Sequence, residues 1–191
     1  AYVDGVQVPY DDFWFEPGLV ATDGSAKFSR WPGMAKAVSA AWQITAEGKV
    51  KVLIWTVQDG FPLSAAASEQ YAIEISLLRV RDGDNVDFIV DCLAVQLCSQ
   101  NIRHASRCQA KYAGIWKQPT LTNKIGTIFK IKSHMTEQQA LDSDTNMEWF
   151  EANQMADLWA NSALRPESYP DDDEWIERVT IRLGRIKSKR I

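Results

Sequence analysis

The period of apolar and polar positions changes several times along the chain, and each change marks an expected element. Leu19–Asp23 reads as a short strand ending at Gly24. Ala37–Thr45 reads as a second strand, and the β-branched, apolar run Val50–Val57 as a third, with Glu47-Gly48 as the turn between them. Asp59-Gly60-Phe61-Pro62 breaks the third strand. A helix follows, starting at Ser64 or Ser68 and ending at Val80, because Glu69, Ala72, Ile73, Ser76, Leu77 and Val80 keep helical spacing. Ser68 is a plausible N-cap, which sets Glu69 in the first turn at the edge of the inward stripe. Val86–Asp91 reads as a strand whose last residue is an aspartate. Leu93–Gln100 and a stretch from about Arg103 to Trp116 read as helices, and Gly126–Lys132 as another strand. Glu148–Leu164 is a long helix with Ala152, Met155, Ala156, Trp159, Ala160 and Ala163 in one apolar stripe and Asp157 beside it. The order β-β-β-α-β-α-α-β-α predicts an α/β domain. Its core is a five-stranded mixed sheet, three antiparallel strands and then parallel ones, with helices on both faces.

With 191 residues, 46% apolar and 24% charged, the chain is globular in composition and long enough for one domain with a substantial core. No apolar run approaches the ~20 residues of a membrane span. The organisation expected is an acidic, aromatic N-terminal extension at 1–18, a central unit at 19–165 and a C-terminal extension at 166–191. The opening segment carries Asp4 and no base, unlike a secretory signal, and the start at Ala1 suggests a processed, excised or engineered chain. The three cysteines, Cys92, Cys98 and Cys108, have no Cys-x-x-Cys spacing. They read as free thiols of a reducing intracellular compartment (nucleus, cytoplasm or organelle) rather than as a disulfide framework or a zinc site.

The net charge of −4 lies entirely within residues 1–18, through Asp4, Asp11, Asp12 and Glu16. By contrast, Cys92–Thr136 contains no acid and carries Arg103, Arg107, Lys111, Lys117, Lys124, Lys130 and Lys132 with His104 and His134. Such a run either lines a phosphate backbone or is a solvated basic face. In the C-terminal extension Val179, Ile181 and Leu183 alternate like a strand. With Trp14 and Trp175 this makes both extensions candidates for attachment to a partner protein.

Four carboxylates stand beside apolar residues: Asp23 at a strand end, Glu69 on an inward helix edge, Asp91 at the end of Phe88-Ile89-Val90, and Asp157 against the last helix stripe. Each has a plain structural reading, as a turn residue, a helix-terminus acid, a cap or a solvated side chain. Together they suit a shared hard cation, because Mg²⁺ prefers oxygen ligands and sites in open α/β sheets lie beyond the carboxyl ends of strands.

These residues resemble ribonuclease H of type 1, including retroelement-encoded ribonuclease H domains. Thr22-Asp23-Gly24-Ser25-Ala26 is similar to that family's first-strand motif and Ser68-Glu69-Gln70-Tyr71-Ala72 to its first-helix glutamate motif. Ile89-Val90-Asp91-Cys92 is similar to its central-strand aspartate. Ile131-Lys132-Ser133-His134 followed by Asn153-Gln154-Met155-Ala156-Asp157 resembles its late histidine loop and final helix. The resemblance covers about Leu19–Leu164. The chain departs from the family at Gln154, where Glu is frequent, and at Ala66, Ala67 and Ser68, where Asn or Arg helps to hold a hybrid.

The resemblance implies endonucleolytic hydrolysis of the RNA strand of an RNA–DNA hybrid. It assigns two Mg²⁺ (or Mn²⁺) ions to Asp23, Glu69, Asp91 and Asp157, and proton transfer or product release to His134. The basic stretch then supplies Arg103, Arg107, Lys111 and Lys117 to the nucleic-acid backbone, with Trp116 either a sugar or base contact or a core residue. The alternative is a non-catalytic ribonuclease-H-like structural or adaptor subunit of a larger assembly, docked through residues 1–18 and 166–191. The departures at Ala66, Ala67, Ser68 and Gln154 motivate it.

Overall fold

The computed structural model describes residues 1–29, 35–57, 61–107, 109–110 and 112–164. The sheet is built on three long strands, β3 (Gly18–Lys27), β4 (Lys36–Ile44) and β5 (Val50–Thr56). They form an antiparallel meander in which Asp23 faces Ala40 and Ala41 faces Leu53. Two two-residue strands, β1 (Tyr2–Val3) and β2 (Val6–Gln7), precede them, and β1 pairs antiparallel with the free side of β5. Helix α1 (Ala65–Leu77) then crosses to β6 (Val86–Val90), which lies parallel to β3. Short helices α2 (Leu93–Gln100), α3 (Ile102–Ala105), α4 (Ala113–Trp116) and α5 (Pro119–Thr122) lead to β7 (Ile125–Lys130), parallel to β6. Helices α6 (Glu137–Asp142) and α7 (Met147–Leu164) close the described chain. The strand order is β2-β1-β5-β4-β3-β6-β7, a mixed sheet.

The sheet has seven strands where the sequence pattern predicts five. The extra two are a pair of two-residue strands at the N-terminal edge, too short to show any alternation. Residues 13–16 of the N-terminal stretch pack against the rest of the described residues. Phe13 and Phe15 are 1% and 0% exposed and pack edge-to-face, and Lys51 Nζ reaches back to Glu16 at 2.6 Å. Arg79 lies over the Tyr10 ring at 3.5 Å and near the Trp14 ring at 5.2 Å. Residues 165–191, with Trp175 and the alternating Val179, Ile181 and Leu183, lie outside the described residues, as do Cys108 and Lys111.

The two-residue period of the strands splits the interior into two layers. Val20, Ala41, Leu53 and Phe88 face one side, where they pack with Ala67 and Ile73 of α1 and Val95 of α2. Their neighbours Ala21, Trp42, Val52 and Ile89 face the other side and meet Ala152 and Ala156 of α7. The small residues of the α7 stripe fit this role. Ala152, Ala156 and Ala160 are buried and bring the helix backbone close to the sheet, while Met155, Trp159 and Ala163 are half-buried at its margins.

Two local expectations need correction. The helix expected across 103–116 is interrupted: α3 stops at Ala105, α4 starts only at Ala113, and Tyr112 between them has φ of 65°, which no right-handed helix admits. Helix α1 is capped by Ser64, whose hydroxyl accepts from Ala67 N at 3.3 Å, rather than by Ser68. Glu69 is therefore in the second turn, and its position at the site owes nothing to the unpaired amides of the helix start.

Candidate metal centre at the carboxylate cleft

Local packing explains how each acid reaches one place. Strand β3 runs without a turn through Asp23 and Gly24 to Lys27, so Asp23 is a strand residue and not a turn former. The parallel ladder of β3 and β6 pairs Val20 with Phe88 and Ala21 with Ile89. Continued by two residues in the same register, it sets Asp91 beside Asp23 on the neighbouring strand. Asp91 does not cap the next helix, because the N-cap of α2 is Cys92 and no side chain caps it.

Glu69 is delivered by close approach of α1 to β3. A Cβ at Gly24 would collide with the backbone of Glu69 and Ser68, so only glycine lets the helix settle there. Ser39, paired with Gly24 across the β3–β4 ladder, donates its hydroxyl to the Ser68 carbonyl at 2.7 Å and pins the helix from the next strand.

Asp23, Glu69 and Asp91 each offer a carboxylate oxygen within 4.8 Å of the others. Asp157 on α7 lies outside that trio but lines the same cleft of about 440 Å³, together with His134, Ser133, Cys92, Ser25 and Asn161. His134 is exposed, with φ of 51°, on the loop after β7. The loop is tied to the site by Ser133, whose hydroxyl donates to the Asp91 carbonyl at 3.3 Å. All five sequence-predicted acid and histidine positions thus border one cleft. The sequence pattern gave no sign of Asn161, whose side-chain amide donates to Asp157 Oδ1 at 2.7 Å.

The electrostatics are those of crowded, desolvated acids. Asp23 is 5% exposed, and its pKa is pushed from an ordinary 3.8 up to about 7, by burial first and then by Asp91 and Asp157. The Gly24 N–H and a hydrogen bond shared with Glu69 oppose that rise. Glu69 is pushed well up by burial, then by Asp23 and Asp91. Asp91 is raised by burial, against the pull of His134 and a Ser133 hydrogen bond. Glu69 Oε2 is buried and has no hydrogen-bond partner among the described residues. An unpaired buried oxygen within a cluster of acids is costly in isolation and fits a hard dication, which would satisfy the lone pairs and offset the charge.

Of the basic candidates, Arg103, Arg107 and Lys117 are exposed, and Lys111 lies outside the described residues. Lys124 is held by Asp82 at 2.9 Å and by the Val80 carbonyl. Trp116 belongs to the core: it is 2% exposed, and its indole N–H donates to the buried Gln70 Oε1 at 3.0 Å.

No family model matches the chain, and no curated protein matches it. Solved structures do. The protease–reverse transcriptase of prototype foamy virus aligns over 82% of this chain with a TM-score of 0.55 and 22% identity, and the chain spans 21% of that protein. The PFV RNase H domain in solution aligns over 75% of this chain and 92% of its own, with a TM-score of 0.49 and 21% identity. RNase H1 from the halophilic archaeon Halobacterium salinarum aligns over 76% and 96%, with a TM-score of 0.46 and 17% identity. The likeness is one of fold alone: a mixed sheet with an antiparallel meander, a parallel continuation and helices on both faces, the ribonuclease-H-like architecture.

Proposed function

We propose that this domain hydrolyses the RNA strand of RNA–DNA hybrids with the help of two divalent ions. The convergence of Asp23, Glu69 and Asp91 carries the reading, because their oxygens come within 4.8 Å of one another just past the end of the parallel β3–β6 ladder. Asp157, on the rim of the same cleft, completes the ligand set. Asp23, Glu69, Asp91 and Asp157 would hold Mg²⁺ or Mn²⁺, which when bound would supply an acidified water and charge stabilisation for the leaving oxygen.

The chain's own residues do the rest. Four carboxylates together would offset the charge of two dications. Oxygen-only donors suit Mg²⁺ and Mn²⁺ rather than softer metals. The imidazole of His134, exposed on its loop and within electrostatic reach of Asp91, exchanges a proton with the departing product. Substrate holding falls to the acid-free stretch, through Arg103, Arg107, Lys111 and Lys117, since Ser68 is engaged in its own helix. Its hydroxyl donates to the carbonyls of Ala65 at 2.9 Å and Ser64 at 3.0 Å. Contacts of this kind grip the backbone without reading sequence.

The test is cleavage of an end-labelled RNA–DNA hybrid, with duplex DNA and duplex RNA as controls, in Mg²⁺, in Mn²⁺ and in EDTA. Hybrid-specific cleavage that needs metal and disappears in Asp91→Asn is expected. A folded wild-type protein inert in both metals would overturn the reading and favour a non-catalytic adaptor of the same fold.

A further inference from the structure

Asp157 differs from the other acids in how it is held. Asp23 is a strand residue and Asp91 follows directly on a strand, whereas Asp157 projects from the exposed margin of a long helix, half-buried, with two side-chain torsions to fix. Two structural periods supply a clamp. Ser25 follows Asp23 by two residues on β3, so both point to the α7 side of the sheet. Asn161 follows Asp157 by four residues on α7, so both lie on one helix face. Ser25 Oγ donates to Asn161 Oδ1 at 2.9 Å, and Asn161 Nδ2 donates to Asp157 Oδ1 at 2.7 Å. The hydroxyl occupies the amide oxygen and so sets the amide's orientation, which turns its N–H toward the carboxylate. The chain Ser25–Asn161–Asp157 ties the strand that carries Asp23 to the helix that carries the fourth acid, and all four residues line the cleft.

We propose that Asn161 is a positioning residue for the metal centre: oriented by Ser25, it fixes the Asp157 carboxylate for ligation. The inference rests on the metal-binding reading above. Asn161 is exposed, so its loss should leave the fold intact while loosening one ligand. Partners that orient metal ligands commonly change affinity by about 10–100-fold when removed.

The experiment is calorimetric titration of Mn²⁺ into the full chain without nucleic acid, for wild type, Asn161→Ala, Ser25→Ala and the Ser25→Ala/Asn161→Ala double variant. Thermal melts in EDTA serve as the fold control. Asn161→Ala is expected to bind Mn²⁺ about 10-fold more weakly. Its melting temperature in EDTA should stay within about 2 °C of wild type, as for a surface change. Ser25→Ala should weaken binding alone and add nothing in the Asn161→Ala background, because it acts only through that amide. Wild-type affinity in Asn161→Ala, or simple additivity in the double variant, would overturn the positioning role while leaving the metal site standing. A wild type that binds no Mn²⁺ would overturn both.

Discussion

The charge crowding at Asp23 makes removal of this acid a stabilising change in the absence of metal. Oxygens of Asp23, Glu69 and Asp91 lie within 4.8 Å of one another. At an effective dielectric of about 20, two unit charges at that separation repel by roughly 3 kcal/mol. The shift of Asp23 from 3.8 to about 7, in which burial is the largest cause, corresponds at ~1.4 kcal/mol per pH unit to about 4 kcal/mol against the ionised form. Because the folded-state pKa is raised, the folded protein holds a proton that the unfolded chain has lost between pH 3.8 and about 7. Stability therefore falls as pH rises through that window, and the loss is complete above it. Asp23→Asn cannot ionise and keeps an oxygen for the Gly24 N–H. In EDTA at pH 8 it should be more stable than wild type by roughly 2–4 kcal/mol, or about 5–10 °C in melting temperature. The advantage should vanish at pH 4. In excess Mn²⁺ the wild type should recover, since a bound ion stabilises only the folded state, while the variant gains little. Calorimetric melts of both proteins at pH 4, 6 and 8, with EDTA and with Mn²⁺, test this. A variant no more stable than wild type at pH 8 in EDTA, or equally advantaged at every pH, would refute the reasoning.

Gly24→Ala forces α1 away from β3, because the added Cβ meets Glu69 and Ser68 backbone rather than a flexible side chain. Chemical denaturation should show a loss of about 1–3 kcal/mol or more, with a smaller metal-induced stabilisation as Glu69 is displaced. Trp116→Phe removes the donor to Gln70, a fully buried amide whose nitrogen already has no partner among the described residues. It should cost roughly 1–3 kcal/mol in denaturation and leave hybrid affinity unchanged, whereas a base-stacking role would show the reverse. Replacing Arg103, Arg107 or Lys117 by Ala should weaken hybrid binding at every sequence tried. Each replacement should also lower the log–log salt slope by about one for every phosphate it leaves without a cation. An unchanged slope for all three would move the substrate path elsewhere.

The parts of the molecule that were legible in the sequence are those where one period persists. β3, β4 and β5 read as nearly unbroken runs of small and apolar residues because both sheet faces are covered, and the alanine stripe of α7 follows from its close seat on the sheet. The site acids stood out because each interrupts such a pattern, at a strand end or beside a stripe. The two-residue β1 and β2 left no period to read, although Phe13 and Phe15 mark the segment as core. The start of α1 was ambiguous because Ala65-Ala66-Ala67 is helical in either frame, and only the tertiary pin from Ser39 explains why Ser68 is buried inside it. Helix α6 carried a readable signal in the Thr136–Gln139 capping box, which a search for apolar stripes overlooks. The break at Tyr112 had no glycine or proline to announce it. Nothing in the sequence marks Asn161, because an exposed asparagine on a helix looks ordinary until the strand beside it is known.

Everything functional depends on whether the cleft seats divalent ions. Anomalous diffraction from crystals of the intact chain grown with Mn²⁺ tests this most directly. Two manganese peaks within coordinating distance of Asp23, Glu69, Asp91 and Asp157 are expected. Well-ordered crystals with manganese absent from those four carboxylates would contradict the assignment.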